Sequence, residues 1–154
     1  MKNGFLSVLI LFAALTASSQ TDAFRVREFN LKGGLAIKGY DPVAYFAMDQ
    51  AVKGTKDISF PYHGITYYFS SSANRDAFRA DPSKYEPQYG GWCAYAMGHD
   101  GSKVEIDPET FKIVNGKLFL FYNRFFTNTL KFWNADEKNL HGRADANWQK
   151  LIHG

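Results

Sequence analysis

The dipeptide Asn115-Gly116 constrains the fold of this chain more than any other feature of its sequence. Asn-Gly favours a two-residue turn in which both residues adopt a positive φ angle, and such a turn joins antiparallel strands. Runs of aromatic and β-branched residues flank it at residues 111–114 and 118–122. The sequence therefore predicts a β-hairpin at this position.

A second hairpin is predicted from two β-rich runs at residues 58–60 and 65–69, which are separated by a short segment containing His63-Gly64. Pro61 has no backbone N–H to donate to a neighbouring strand. The first strand of this hairpin is therefore expected to be short or to lie at the edge of its sheet.

Helix signals occur at three places in the chain. Asp41 and Pro42 precede a short apolar run and predict one helical turn with the Asp41 carboxylate as its cap. Serines precede a helix expected at about residues 73–80. The C-terminal region, residues 126–153, has apolar residues at helical intervals and a candidate break at Gly142. These patterns predict a small α+β domain with two β-hairpins, several short helices and a helical C-terminal region.

The composition supports one folded domain. Of 154 residues, 45% are hydrophobic and 17% are aromatic, which is enough to bury an apolar core and excludes a disordered main body. The 18 Lys and Arg residues and 15 Asp and Glu residues are scattered without a basic block. This distribution argues against nucleic acid as a partner.

Residues 1–19 have the composition of a secretory signal peptide. Lys2 precedes an apolar run at residues 5–15, which is too short to span a bilayer, and small residues follow it. We expect cleavage near Ser19, a flexible leader over residues 20–34 and a folded domain over residues 35–152. The mature protein is then exported, either periplasmic or secreted, and has no membrane span.

Cys93 is the single cysteine of the chain. Cysteines of exported proteins are usually paired, so an unpaired one indicates burial, a bound metal or reactivity. If a helix starts after Gly90-Gly91, Cys93 lies in its first turn, where free backbone N–H groups favour a thiolate.

Cys93, Met97 and His99 lie within seven residues of one another, and Cys93 and Met97 are at helical spacing. Soft sulfur ligands together with an imidazole suit Cu(I). We therefore predict Cys93 as the catalytic thiol or primary metal ligand, with Met97, His99 and His63 as further metal ligands and copper as the first candidate cofactor. Met97 could equally fill the core, and His99 and His63 could be solvated loop residues.

Five segments occur in an order and spacing that are specific to one family. They are residues 39–46 (GYDPVAYF), 62–70 (YHGITYYFS), 74–78 (NRDAF), 81–85 (DPSKY) and 87–94 (PQYGGWCA). With these segments the chain resembles the exported YHS-domain proteins over about residues 35–151.

The resemblance implies two things about chemistry. The broader YHS domain is thought to bind metal through cysteines, whose positions correspond to Ala44, Ser70 and Asn74 in this sequence, so those ligands are missing here. At the position of Cys93, some relatives in the exported subgroup carry selenocysteine. This substitution implies a reactive chalcogen at Cys93.

Three functions remain open from the sequence. The first is an exported protein that binds a soft metal ion, copper first, at a centre formed by Cys93. The second is a thiol-redox protein in which Cys93 is oxidised by a peroxide or a partner protein and is reduced by an external thiol. The third is a noncatalytic binding module that uses its tyrosines and tryptophans, with Cys93 buried.

Overall fold

The computed structural model describes residues 21–154. The predicted signal peptide, residues 1–19, lies outside these described residues. Within them, short helices alternate with small sheets and the chain ends in a helical region, which confirms the α+β prediction. No helix between residues 21 and 154 combines the length and hydropathy needed to cross a bilayer.

The hairpin predicted around His63-Gly64 is formed by β3 (Thr55–Tyr62) and β4 (Ile65–Phe69). His63 and Gly64 form its turn, with φ angles of +46° and +79°. The strand order of the sheet is β1 (Leu31–Lys32), β2 (Leu35–Ala36), β4 and β3, so β3 lies at an edge. This position agrees with the expectation from Pro61, because an edge strand has one side on which no N–H donor is needed.

The segment expected to be a flexible leader contains regular structure in its described part. Residues 21–28 form helix α1, and β1 (Leu31–Lys32) pairs antiparallel with β2 (Leu35–Ala36). Arg25 of α1 forms an ion pair with Glu86, with 2.5 Å between Nη2 and Oε1, and both side chains are 14% exposed. One of the polar residues that suggested a leader, Arg25, therefore attaches α1 to the domain through a partly buried ion pair.

The hairpin predicted around Asn115-Gly116 is formed by β5 (Asp107–Val114) and β6 (Lys117–Phe121). Asn115 and Gly116 form its turn with φ angles of +51° and +72°. Both residues thus adopt the left-handed conformation that Asn and Gly accept more readily than other residues.

Strand β6 separates two hydrophobic cores. Its side chains alternate in direction, so Leu118 and Leu120 pack in one core while Phe119 and Phe121 pack in the other. All four side chains are fully buried. The first core also contains Cys93 and the inner face of β4, and the second is covered by the C-terminal helices.

Three short helices lie between β2 and the Cys93 region. They are α2 (Ala44–Ala47), α3 (Ser72–Ala80) and α4 (Pro82–Tyr85). Helix α3 begins one residue before the predicted start, and the Ser71 side chain accepts a hydrogen bond from the Asn74 backbone N–H. This is the serine cap that the sequence indicated.

The C-terminal region contains two helices, α6 (Thr129–Ala135) and α7 (Glu137–His153). They meet at Asp136, whereas Gly142, the candidate break, lies inside α7. A single glycine in a helix costs about 1 kcal/mol relative to alanine, which packing against the rest of the domain can offset. Tertiary contacts therefore decide where this region bends.

A third hairpin, which the sequence did not indicate, precedes α6. It consists of β7 (Asn123–Arg124) and β8 (Thr127–Asn128), joined by Phe125 and Phe126. The predicted helical region thus begins at Thr129 and not at residue 126. The turn was not recognised because Phe-Phe lacks the Asn, Gly or Pro by which tight turns are identified.

Candidate functional site

Cys93 is the N-cap residue of helix α5 (Ala94–His99), which follows the Gln88–Gly91 turn. Gly90 and Gly91 have φ angles of +60° and +85°, which glycine adopts without a steric penalty from a Cβ atom. A helix does start after the glycine pair, and Cys93 is its N-cap residue, one position before its first turn.

Helix α5 is held closely against α7. A Cβ atom on Gly98 would lie 2.4 Å from the carbonyl oxygen of Leu140, so only glycine allows this approach. Asn147 donates to the carbonyl of Met97 at 2.8 Å, and Arg143 donates to the carbonyl of Gly98 at 2.9 Å. These bonds satisfy carbonyl groups at the C-terminal end of α5 and fix the helix that begins at Cys93.

The sulfur of Cys93 has two polar neighbours that are distant in sequence. The backbone N–H of Tyr122 donates to Sγ at 3.4 Å, and the hydroxyl oxygen of Thr129 lies 3.4 Å from Sγ. The Thr129 hydroxyl also donates to the carbonyl of Tyr122 at 3.0 Å, and the Thr129 backbone N–H donates to the same carbonyl at 3.0 Å.

This arrangement can serve either protonation state of the sulfur. When the sulfur is a thiol, the Thr129 hydroxyl donates a hydrogen bond to the Tyr122 carbonyl and accepts one from the S–H group. With a thiolate, the hydroxyl can turn its proton towards Sγ, because the Tyr122 carbonyl keeps its bond from the Thr129 backbone N–H. A negative sulfur would then have two donors, the Tyr122 N–H and the Thr129 hydroxyl.

A pocket of about 230 Å³ lies next to Cys93. It is lined by Cys93, Tyr95, Ala96, His99, Asp100, Ser102, Val104, Tyr122 and Thr129. Cys93 itself has an exposed fraction of 0%, so the sulfur lies beneath the pocket surface. A ligand that reaches it must first displace one of the lining side chains.

His99 and Asp100 supply an imidazole and a carboxylate to this pocket. His99 Nδ1 lies 3.6 Å from Asp100 Oδ2, and the side chain of His99 is 60% exposed. Hydrogen bonds from Ser102, with a smaller contribution from His99, lower the pKa of Asp100. The pocket therefore has a carboxylate beside its imidazole at neutral pH.

The other two predicted ligands do not line this pocket. Met97 is fully buried in the second core, whereas Cys93 belongs to the first. His63 lies in the β3–β4 turn, where its Nδ1 is 2.8 Å from Oδ1 of Asp22. Of the four predicted site residues, the structure thus brings Cys93 and His99 to the same pocket.

Within residues 21–154, no group of three or more His, Cys, Asp and Glu side chains is arranged to hold a metal ion. A metal at Cys93 would therefore have few protein ligands.

A second polar centre is built on Asp41, which is fully buried. Its Oδ1 accepts from the backbone N–H groups of Val43 at 2.9 Å and Ala44 at 3.3 Å. Its Oδ2 accepts from the N–H and hydroxyl of Ser70 at 2.8 and 2.6 Å, and from the amide of Asn74 at 2.8 Å. The N-cap residue of α2 is Val43, without a side-chain cap bond, and Asp41 instead accepts from the N–H groups at the start of the helix and joins them to the end of β4 and to α3.

Residues 43–89 match the family model of the YHS domain. The chain carries a YHS domain. This confirms the resemblance to the YHS domain over these residues, and the domain is associated with possible metal binding. The comparison with curated proteins finds no match, and neither does the comparison with solved structures. The matched segment ends at Tyr89, so it does not include Cys93.

Ala44, Ser70 and Asn74 are the positions at which the sequence resemblance implies cysteines. Ala44, Ser70 and Asn74 each direct hydrogen-bond donors at the Asp41 carboxylate. A cation at their centre would face N–H and O–H protons instead of lone pairs. The residues present therefore do not fit a metal at this location, and the Asp41 carboxylate is the group that they are arranged to bind.

Sequence reasoning missed the partners of the Cys93 sulfur. Tyr122 and Thr129 lie 29 and 36 residues from Cys93, and no local pattern connects them to it. They meet the sulfur because β6 and the start of α6 both pack beside α5. No signal in one sequence indicates such a pairing.

Proposed function

We propose that this YHS-domain protein binds a soft metal ion, Cu(I) first, through the Cys93 thiolate, with His99 as the second ligand. The supporting observation is that these two residues line the same pocket. A thiolate and a neutral imidazole are ligands that Cu(I) prefers. His99 is the more exposed of the two, so an incoming ion meets the imidazole first and the sulfur second.

We also propose that the protein is exported, to the periplasm or outside the cell. Lys2, the apolar run at residues 5–15 and the small residues that follow support this proposal. In an oxidising compartment, a buried sulfur without a cysteine partner is protected from forming disulfides with other proteins.

Cys93→Ser is expected to abolish stoichiometric Cu(I) binding, because a hydroxyl is a poor ligand for a soft ion. His99→Ala is expected to weaken binding more than about tenfold, which corresponds to ~1.4 kcal/mol. The measurement is a Cu(I) titration of the exported form against a competing chelator.

Met97→Leu is the matched control, since Met97 lies in the other core and its replacement should leave copper affinity unchanged. Unaltered stoichiometric binding by the Cys93→Ser variant would refute the proposal. A loss of binding in the Met97→Leu variant would contradict the ligand pair proposed here.

The hydrogen bonds at Sγ favour a second candidate, a thiol-redox function. The thiolate sulfur would attack a hydroperoxide, the O–O bond would break with loss of an alcohol or water, and Cys93 would become a sulfenic acid. Two equivalents of an external thiol would then reduce it, because the chain has no second cysteine. Thr129 would donate to the negative sulfur during this reaction.

Mild peroxide is then expected to add one oxygen to Cys93 in the folded protein, detected by mass spectrometry after trapping of the sulfenic acid. Thr129→Val should slow the reaction about tenfold or more, since it removes a hydrogen bond to a charged group worth about 1.5–3 kcal/mol. Thr127→Val, in the neighbouring strand β8, is the control. If Cys93 is inert in the folded protein, the redox candidate is excluded.

A further inference from the structure

The tip of the β7–β8 hairpin exposes two adjacent phenylalanines. Phe125 is 86% exposed and Phe126 is 113% exposed relative to the reference state, the largest values among the exposed large hydrophobic residues of the described chain. Both are in the left-handed region, with φ angles of +50° and +64°. Arg124 and Thr127 flank the two phenylalanines and pair with each other, so Phe125 and Phe126 are the central residues of a two-residue turn.

This turn carries two costs that the chain itself does not offset. A left-handed backbone costs non-glycine residues energy, and this chain shows a cheaper solution in another of its two-residue turns, Asn115-Gly116. Two phenylalanine rings in water lose the free energy that burial would provide. Residues placed at such a cost are commonly functional, which indicates that the rings are buried against something outside the chain.

A positively charged cavity adjoins this tip. Its volume is about 310 Å³, and Arg124, which immediately precedes Phe125, lines it together with Lys32, Lys38 and Glu105. Lys38 forms an ion pair with Glu105 at 3.3 Å and donates to the carbonyl of Ile106. Three cations against one carboxylate leave the cavity with a net positive charge.

The segment that contains the tip also has more cations than anions. Residues 123–135 contain Arg124 and Lys131 and no Asp or Glu. The tip therefore combines protruding aromatic rings with cations on the same segment, which is the combination found in protein surfaces that bind the headgroup region of a bilayer.

We propose that this face docks on an anionic lipid bilayer, with Phe125 and Phe126 inserted among the headgroups and Arg124 and Lys32 against lipid phosphates. The tip is a protrusion, and a bilayer accepts a protrusion without needing a complementary pocket. The cations beside the rings match the negative charge of such a surface. The contact is peripheral, and it is independent of the proposed role of Cys93.

Sedimentation with vesicles tests this proposal. The mature chain, which lacks the apolar run at residues 5–15, is mixed with vesicles of phosphatidylcholine alone or with phosphatidylglycerol added. We expect binding to the vesicles that contain phosphatidylglycerol, reduced by salt because the attraction is partly electrostatic. Binding to neither vesicle would overturn the proposal.

The decisive variant is the double substitution Phe125→Asn with Phe126→Gly. It should lower the partition coefficient at least about tenfold, since about 1.4 kcal/mol of ring burial is enough for that change. Its thermal midpoint should stay equal or rise, because Asn-Gly suits this turn. Met48→Ser, which alters another exposed apolar side chain (53% exposed), is the control and should bind as the original does.

Arg124→Gln and Lys32→Gln should each weaken binding to the anionic vesicles and reduce its salt dependence. If the double variant Phe125→Asn with Phe126→Gly binds the vesicles as the wild type does, the proposal is overturned. It is also overturned by concentration-dependent dimerisation of the original chain that the variant abolishes, since the rings would then be buried against a second copy.

Discussion

Asp41→Ala is expected to lower the free energy of unfolding by about 3–5 kcal/mol. The substitution removes the acceptor from at least five hydrogen bonds, and the donors come from α2, the end of β4 and α3. The site is fully buried, so water cannot replace the lost acceptor without rearrangement. Urea unfolding followed by tryptophan fluorescence measures the change.

Ser70→Ala is the matched control for this prediction. It removes one hydroxyl donor from the same carboxylate and leaves the backbone N–H bond of residue 70, so we expect a loss of about 1 kcal/mol. Asp41→Asn should fall between the two, since an amide keeps one acceptor but directs its NH₂ group at existing donors. Equal losses for Asp41→Ala and Ser70→Ala would contradict the central role of the carboxylate.

Phe78→Ala is expected to lower the free energy of unfolding by about 3–5 kcal/mol as well. Phe78 is fully buried in the first core, on the inner face of α3. Its ring centroid lies 4.7–6.4 Å from those of five other aromatic residues, Phe60, Tyr62, Tyr67, Phe69 and Tyr85. The loss combines the transfer free energy of the ring with the cavity that remains among these neighbours.

Phe132→Ala provides the comparison. Phe132 is also a phenylalanine on a helix, but it is 50% exposed. We expect it to cost less than half as much as Phe78→Ala, because much of its surface stays in water in the folded protein. Thermal or chemical unfolding of both variants under the same conditions tests the difference. A loss of under about 1.5 kcal/mol for Phe78→Ala would show that the cluster repacks around the missing ring.

The Asp41 centre and the Cys93 pocket are two separate polar sites of this chain. Around Asp41, a carboxylate and its donors connect α2, the end of β4 and α3, where the sequence resemblance implies cysteines, and the result is a closed hydrogen-bonded centre. The remaining sulfur lies beyond the matched segment, beside an imidazole. The proposed chemistry of this chain is therefore assigned to Cys93 and not to the positions of the missing cysteines.

Local patterns predicted the hairpins well, because a two-residue turn is specified by the residues inside it. Asn115-Gly116 and His63-Gly64 illustrate this, and the Ser71 cap of α3 does so for a helix. The Phe125-Phe126 turn was missed because neither phenylalanine favours the left-handed conformation that the turn requires.

The sequence by itself determined the fold class, the two main hairpins and the identity of the lone thiol, because these follow from interactions between residues close together in the chain. The tertiary structure decided which residues meet that thiol. It placed Tyr122 and Thr129 at the sulfur, brought His99 to the pocket and left Met97 in the other core. These contacts depend on how β6, α5 and α6 pack, and packing is a property of the whole chain that no local pattern encodes.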